Sequence, residues 1–530
     1  MLTETSSTGQ HPSVRQITGF LLLALSVLWC IYWFVHSRSY WEDDAYIHLE
    51  FARSLAAGHG FAFDGTVVDG DTAPLWVLLL AAMHSLLPDW LAAGKLLTIL
   101  GAIFGIAGVY AFARRLGSSL LPARDADVFP AAIVLLVAVN PYTCYWIFSG
   151  MEPIAAAGLA CWAILAATRP SPSAPVFLAG CFLAGIAPLL RPEMFLLAAL
   201  LLLPLLDQWR SLRAPPFNRW FLFAAGLLLL AGPQLLWSLY SLHAFGHLLP
   251  NTVAAKRAAP GDSVVIRVVK VYLLGLPALL LGLPAALGCL LRLRKSRGRS
   301  LGSNAIPKAS LPRRPSLSLA GWLFLLWTAI TLLFYIVNHT YVQSRYALLT
   351  APGLMTVVLA LALFAYPRCG RALCGFALLW SVAMSVAVVR PFLRNKEINC
   401  RTSRDMALFI RDRIPAAAPV AVYSIGEIAF VSQHPIVDTG GITRPGAVPY
   451  LNAPPEAMLQ WARSQGAQYD ISGKAPEPGA VSVFTVDAPF VGWSPFQLAA
   501  YSTANTMSLW KLPASPDPPQ QADRSLPAAP

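Results

Sequence analysis

The chain has 530 residues, 56% of them hydrophobic and only 12% charged, with a net charge of +13 and a mean hydropathy of +0.57. Soluble domains carry about 25% charged residues, and here the apolar residues recur in runs near the roughly 17 to 25 residues that cross a bilayer, which excludes an ordinary soluble enzyme. The positive charge lies largely in short connectors between those runs, where Lys and Arg set membrane orientation, so no nucleic-acid partner is expected. The eight cysteines build no scaffold: Cys30, Cys161, Cys181 and Cys289 sit in apolar runs, and Cys369 and Cys374 lack the second ligand pair of a zinc site.

In chain order, residues 19–35 follow Arg15 without a small-residue cleavage site and read as an uncleaved first helix. Residues 38–92 form an outer loop with interfacial helices. Its first part, 38–72, holds seven acids (Glu42, Asp43, Asp44, Glu50, Asp64, Asp69, Asp71) against two arginines. A helix from Asp44 would bring His48 onto the acid's side, and the run 74–87 is too short to cross. Further spans are predicted near 93–113, 128–147, 153–168, 175–190, 194–206, 219–241, 270–291, 319–338, 347–366 and 372–390. That makes about 11 transmembrane helices with the first, near 18–37. The basic segment 292–314, with eight Lys or Arg and no acid, is expected to be cytoplasmic. The connectors at Arg114-Arg115, 210–219 and 368–371 then fall on the same side. The acidic loop, Ser149–Glu152, Arg191–Glu193, 247–257 and 338–346 fall on the other.

Charge returns from Asn395. Residues 420–438 read as strand, turn, strand, and 454–465 as a helix. The expected organisation is a transmembrane domain over 1–391, a small α/β soluble domain over 392–512 and a Pro- and Ala-rich disordered tail over 513–530. Tyr450, Trp461 and Trp493 could touch glycan, with core packing as the plainer role. No internal repeat is visible, against the duplicated folds of many transporters.

The strongest chemical signal is Glu42-Asp43-Asp44 beside the first span, since three consecutive acids repel one another unless a cation or a reacting group uses them. Asp43 or Asp44 could deprotonate an acceptor hydroxyl, or the two could ligate a divalent cation such as Mg, Mn or Ca; a plain helix cap is the alternative. Glu152 starts a span, either as a functional acid or as a partner of the helix dipole. Arg191 and Glu193 flank Pro192 at a helix break, where Arg191 either binds phosphate or is neutralised by Glu193. Lys256, Arg257 and Arg345 are outer cations suited to the phosphate of a lipid-linked donor, with anionic headgroups of membrane lipids the plainer partner, and His48, Asn251, Tyr346 and Trp76 are candidates for holding substrate.

Six segments in order, Asp43-Asp44-Ala45-Tyr46-Ile47, Ala56-Ala57-Gly58-His59-Gly60, Gly70-Asp71-Thr72-Ala73-Pro74-Leu75-Trp76, Ser149-Gly150-Met151-Glu152, Arg191-Pro192-Glu193 and Leu249-Pro250-Asn251-Thr252, resemble the GT-C glycosyltransferases. Within that superfamily the group of the bacterial terminal β-1,2-arabinofuranosyltransferases is the most similar. The resemblance covers roughly residues 15 to 350; Ala73 and Pro153 stand where that group often has Ser and Thr. It implies a polytopic α-helical GT-C-like fold in the bacterial inner membrane. The active site and C-terminal domain would face the periplasm, and the donor would be a polyprenyl-phosphate sugar, arabinofuranose being one. The acceptor would be a glycan, lipid or protein. Asp43 and Asp44 carry over as catalytic candidates, Glu152 as a second acid, and Lys256 and Arg345 as donor-phosphate contacts. A transporter or flippase of lipid-linked sugar is the competing reading, and a non-catalytic anchoring protein the third.

Overall fold

A computed structural model describes residues 13–212, 215–258, 263–291 (except 278, 280, 285 and 290), 317–340, 342–487 and 506–514. The basic segment 292–314, Trp493 and nearly all of the expected tail lie outside the described residues.

The first helix, α1 (Val14–Ser37), opens on a reciprocal cap between Ser13 and Gln16. It leads directly into the interfacial unit. There α2 (Asp43–Ala56) and α3 (Pro74–Leu86) flank a short hairpin of β1 (Ala62–Phe63) and β2 (Thr66–Val67). Asp43 and Asp44 occupy the first turn of α2, where carboxylates suit the exposed amides and the helix dipole. Pro74 starts α3; 13 residues rise only about 20 Å, too little to cross.

The bundle follows: α4 (Trp90–Leu120), α5 (Ala123–Ala126), α6 (Phe129–Val139), α7 (Pro141–Trp146), α8 (Pro153–Ala167), α9 (Ala174–Leu190), α10 (Met194–Ser211), α11 (Pro216–Phe245), α12 (Thr252–Ala258), α13 (Val264–Gly275), α14 (Leu319–Val337), α15 (Ser344–Ala365) and α16 (Pro367–Arg413). Among the described residues, seven helices (α1, α4, α10, α11, α14, α15 and α16) are long and apolar enough to cross a membrane; α6, α8 and α9 are apolar but shorter. The span expected over 270–291 is described in part and begins earlier, at Val264.

Two local departures from the sequence expectation have clear causes. The single span expected over 128–147 is broken at Asn140. Its side chain accepts from the Tyr142 amide and donates to the Gly275 carbonyl, both at 3.0 Å, before Pro141 starts a new helix. The last span also does not stop near 390. It runs unbroken into the soluble domain, with a π turn at Ser385–Val389 accommodating Pro391, whose missing N–H and ring would clash with a regular turn.

The break between α9 and α10 is as expected. Arg191 precedes Pro192 and is extended (φ −153°, ψ 126°), the conformation a pre-proline residue favours. At the centre, α4 crosses α8 through Gly105 and Gly158, where the backbones touch so closely that a Cβ at either would collide with the other helix. The outer face of α11 exposes Phe217, Phe221, Leu228 and Leu236, as a lipid-facing surface does.

The C-terminal domain holds a five-stranded mixed sheet, ordered β4-β3-β5-β7-β6. It comprises β3 (Val420–Val422), β4 (Ile436–Asp438), β5 (Tyr469–Ser472), β6 (Val481–Asp487) and β7 (Thr506–Lys511). The strand-turn-strand expected over 420–438 is instead a right-sized crossover. The two strands are parallel and joined by helix α17 (Ile425–Ser432), because a tight turn cannot return a chain parallel to itself. Helix α18 (Pro455–Ser464) falls where the sequence put a helix. Tyr450 and Trp461 stack on each other with ring centroids 6.1 Å apart, Trp461 lying over Gly446.

Candidate active site

The loops assigned to one side by the charge pattern do meet in space. At one end of the bundle a cleft is lined by Asp44, Ile47 and His48 of α2, Asp71 and Thr72 before α3, and Met151 and Glu152 before α8. Arg191, Thr252, Lys256 and Arg345 line it too, as does Ile442 from the soluble domain. The soluble domain therefore closes part of the cleft.

The three consecutive acids, equivalent in the sequence, go three separate ways. Glu42 is buried and accepts from the hydroxyls of Tyr40 and Tyr145, with Lys396 3.8 Å away. Asp43 turns to the soluble domain and accepts the amides of Gly426 (3.1 Å) and Glu427 (3.0 Å) at the start of α17. Asp44 alone faces the cleft, ion-paired to Arg345 at 2.5 Å. Asp43 does not line the cleft: both its oxygens are engaged elsewhere. The pair is accordingly unsuited to share a divalent cation. Among the described residues no group of three or more His, Cys, Asp or Glu converges as a metal site.

Behind Asp44 runs a buried chain of charge. His48 Nδ1 meets Asp71 at 2.5 Å and its Nε2 lies 3.5 Å from Glu152, which pairs with Arg191 at 2.6 Å. Burial opposes a charged imidazole, but Asp71 and Glu152 overcome it and raise His48 to about 10, so it is an imidazolium at neutral pH. Burial likewise pushes Asp44 up, yet Arg345, Lys256 and His48 outweigh it and hold the carboxyl below its ordinary range. Exposure separates the roles: the Asp44 side chain is 38% exposed against 2% for both Glu152 and Asp71. Of the cleft's acids, Asp44 is the one an incoming molecule can reach.

Three cations surround the Tyr346 ring, with Arg191, Lys256 and Arg345 centred 5.5, 5.7 and 5.6 Å from it. Arg191 and Arg345 each have an acid partner; Lys256 has no ion pair among the described residues. The sequence offered Arg191 either phosphate or Glu193; Glu193 accepts from Tyr335 at 3.0 Å, and Arg191 lines the cleft paired with Glu152.

Other candidates lie off the cleft. Arg257 donates to Asn338 and is exposed. Trp76 is buried, with its indole N–H on the Gly150 carbonyl at 3.1 Å, fastening α3 to the Ser149–Glu152 loop. Asn251 donates its backbone N–H to the Asp69 carbonyl at 2.9 Å, and its neighbour Thr252 is the residue that lines the cleft, its buried hydroxyl without a hydrogen-bond partner among the described residues. Asp71 and Ile442 had no assigned role in the sequence reading. Asp71 belongs to a quoted segment and could have been found through it; Ile442 carries no signal.

With this geometry in view, comparison with known proteins is informative. The chain superposes on the crystal structure of ArnT from Cupriavidus metallidurans bound to undecaprenyl phosphate with a TM-score of 0.55 at 14% identity, covering 94% of this chain and 99% of that one. The apo structure of the same protein gives 0.57 at 13%, covering 94% and 98%. The fold is that of the GT-C glycosyltransferases. In sequence, the chain is 30% identical over 244 residues to the terminal beta-(1->2)-arabinofuranosyltransferase of Mycobacterium tuberculosis, a match covering 43% of this chain and 37% of that protein. The chain thus matches little more than a third of that relative. Residues 391–512 match a family described as "Domain of unknown function (DUF8728)", which begins within α16 and ends after β7.

Proposed function

We propose that this protein is a GT-C-type membrane glycosyltransferase. It moves a sugar, with arabinofuranose the first candidate, from a polyprenyl-phosphate donor to a hydroxyl of a glycan, lipid or protein. The observation that carries this reading is Asp44: a reachable carboxylate in a cleft with three cations, one of which has no acid partner among the described residues.

The chemistry follows from charge. A polyprenyl-phosphate sugar is a phosphodiester with one negative charge. As the acceptor oxygen bonds to the anomeric carbon and the carbon–phosphate-oxygen bond breaks, the leaving phosphate gains a second. Lys256 and the guanidinium of Arg345 sit where that charge would grow, which lowers the barrier if they are fixed beforehand. Asp44 accepts the hydroxyl proton. Its depressed pKa makes it a weak base toward a free alcohol, so transfer occurs late, as the new bond forms and the hydroxyl becomes acidic. Protonating Asp44 also cancels its ion pair and releases Arg345 toward the phosphate. The buried chain Asp71–His48–Glu152–Arg191 holds the cleft wall in place. Asp44 and Asp43 are engaged by Arg345 and by two backbone amides, so among the described residues the pair forms no shared cradle for a cation.

Arg210 lies near the far end of α10, which begins just after cleft residue Arg191, and Arg368 lies just past the far end of α15, whose first turn holds Arg345. The preference of basic loops for the cytoplasm supports a bacterial inner-membrane protein with its cleft and soluble domain toward the periplasm. The resemblance to the arabinofuranosyltransferase and the undecaprenyl phosphate bound by ArnT support the donor class.

The test is donor consumption by the protein in nanodiscs, given a panel of polyprenyl-phosphate pentoses and hexoses. Wild type should consume one donor, and Asp44→Asn should lose about 10²- to 10⁴-fold, the usual worth of a general base. Movement of donor across a liposome membrane with no sugar released from any of them would instead favour a flippase and sink the transferase.

A further inference from the structure

We infer that the soluble domain is part of the catalytic apparatus. Through the amides of Gly426 and Glu427 it grips Asp43 and so fixes the position of Asp44, which makes Asp43 and Gly426 positioning residues rather than catalytic ones. The inference rests on Asp44 being the base, and it gives the domain at 391–512 a task in the reaction.

The grip is built along the whole first loop. Asp43 presents one oxygen to each of the two amides. Three residues on, the Tyr46 hydroxyl donates to Glu427 at 3.1 Å while Arg404 reaches both Glu427 (3.2 Å) and the Tyr46 oxygen (2.7 Å). Two turns further, Arg53 donates to the Phe430 carbonyl at 3.0 Å and lies over the Phe430 ring. At the hairpin tip, Asp64 accepts the Ile436 amide at 2.7 Å. Four successive points of α2 and its hairpin are therefore tied to α17 and the start of β4.

Closeness at the first point is set by a missing side chain. A Cβ at Gly426 would run into the Asp43 carbonyl oxygen, so only glycine lets the α17 amides reach this far. That carbonyl belongs to the peptide unit joining Asp43 to Asp44; moving it moves the base. The domain also contributes Ile442 to the cleft lining, and Gly70, next to cleft residue Asp71, lies under the Ile442 carbonyl and Thr443. One domain thus touches the cleft from both sides of the base. A shift of about 1 Å in a reacting group can cost on the order of 10²-fold in rate, which is the scale on which such a grip acts.

The experiment uses the full chain in nanodiscs with the polyprenyl-phosphate sugar that wild type consumes, and free undecaprenyl phosphate as competitor. Gly426→Ala and Asp43→Ala should lower kcat by about 10- to 100-fold. Asp43→Asn, which keeps one acceptor oxygen, should fall between them and wild type. Inhibition by undecaprenyl phosphate should stay within twofold in all three, because Lys256 and the arginines are untouched. Equal loss of inhibitor binding and kcat would mean general damage and overturn a positioning role. Full kcat in both Gly426→Ala and Asp43→Asn, with Asp44→Asn inactive, would overturn the inference and leave the base standing. Wild-type turnover in Asp44→Asn would remove the base itself.

Discussion

Lys256 and Arg257 are neighbours in the sequence with the same charge, and the structure separates them completely. Lys256 lines the cleft with no acid partner among the described residues, while Arg257 turns out to Asn338. A hydrogen bond to a charged group is worth roughly 1.5–3 kcal/mol. Lys256→Gln should therefore lower kcat/KM for the donor by about 10- to 100-fold, and Arg257→Gln should leave it within twofold. Comparable losses in both would place the phosphate elsewhere. The same division runs through the acids. The sequence marked Glu42-Asp43-Asp44 as the centre of interest, because three adjacent carboxylates are costly without a purpose. It could not rank them, since the partners that distinguish Asp43 are 383 and 384 residues away. Exposure, the property that selects Asp44, exists only after folding.

At the scale of elements, what was legible is what the local chain decides. The interfacial length of α3, the break at Arg191-Pro192 and the helix at Pro455–Ser464 follow from run length, proline geometry and amphipathic pattern. The break at Asn140 was missed because it depends on the Gly275 carbonyl, far along the chain. The crossover between β3 and β4 was missed because a short, mostly apolar segment of eight residues between two strands reads equally as strand or helix. The crossing of α4 and α8 carries a prediction. Gly105 and Gly158 allow backbone contact, and no larger residue fits either position. Gly158→Leu should lower the thermal midpoint of the detergent-solubilised protein by several degrees, through an overpacking cost of about 1–3 kcal/mol. Gly375, whose Cβ position is open, should accept alanine with no change. Equal midpoints for Gly158→Leu and wild type would show that the helices do not pack this closely.

For the molecule as a whole, the seam between soluble domain and membrane bundle is lined with carboxyls whose protonation is displaced in one direction. Burial, helped by Asp44 and Glu42, lifts Asp43 from 3.8 to about 6 against the pull of the two amides. Burial, helped by Asp43, lifts Glu427 from 4.5 to about 7 against the pull of Arg404 and Tyr46. Each group binds its proton more tightly in the folded, docked state than in the unfolded chain. Between about pH 4 and 7 the native state therefore holds more protons, and stability must fall as pH rises through that window. Asp69, raised to about 7 by burial and Asp71, adds in the same sense. Asp44 acts below that window, and His48 overlaps its upper end in the same sense. Asp44, held low, contributes stability that is lost only as pH falls below the ordinary carboxylate range. His48, raised to about 10, contributes fully below its ordinary 6.5 and loses that as pH climbs toward 10. The solubilised protein should accordingly melt at a higher temperature at pH 5.5 than at pH 7.5, the reverse of common acid lability. Glu427→Gln, neutral at every pH, should reduce the difference and leave the shares of Asp43, Asp69 and His48. A melting point that rises from pH 5.5 to 7.5 in wild type would show that the seam carboxyls are solvated rather than buried, and that the domain sits less tightly on the first loop than the contacts of Asp43, Tyr46 and Arg53 require.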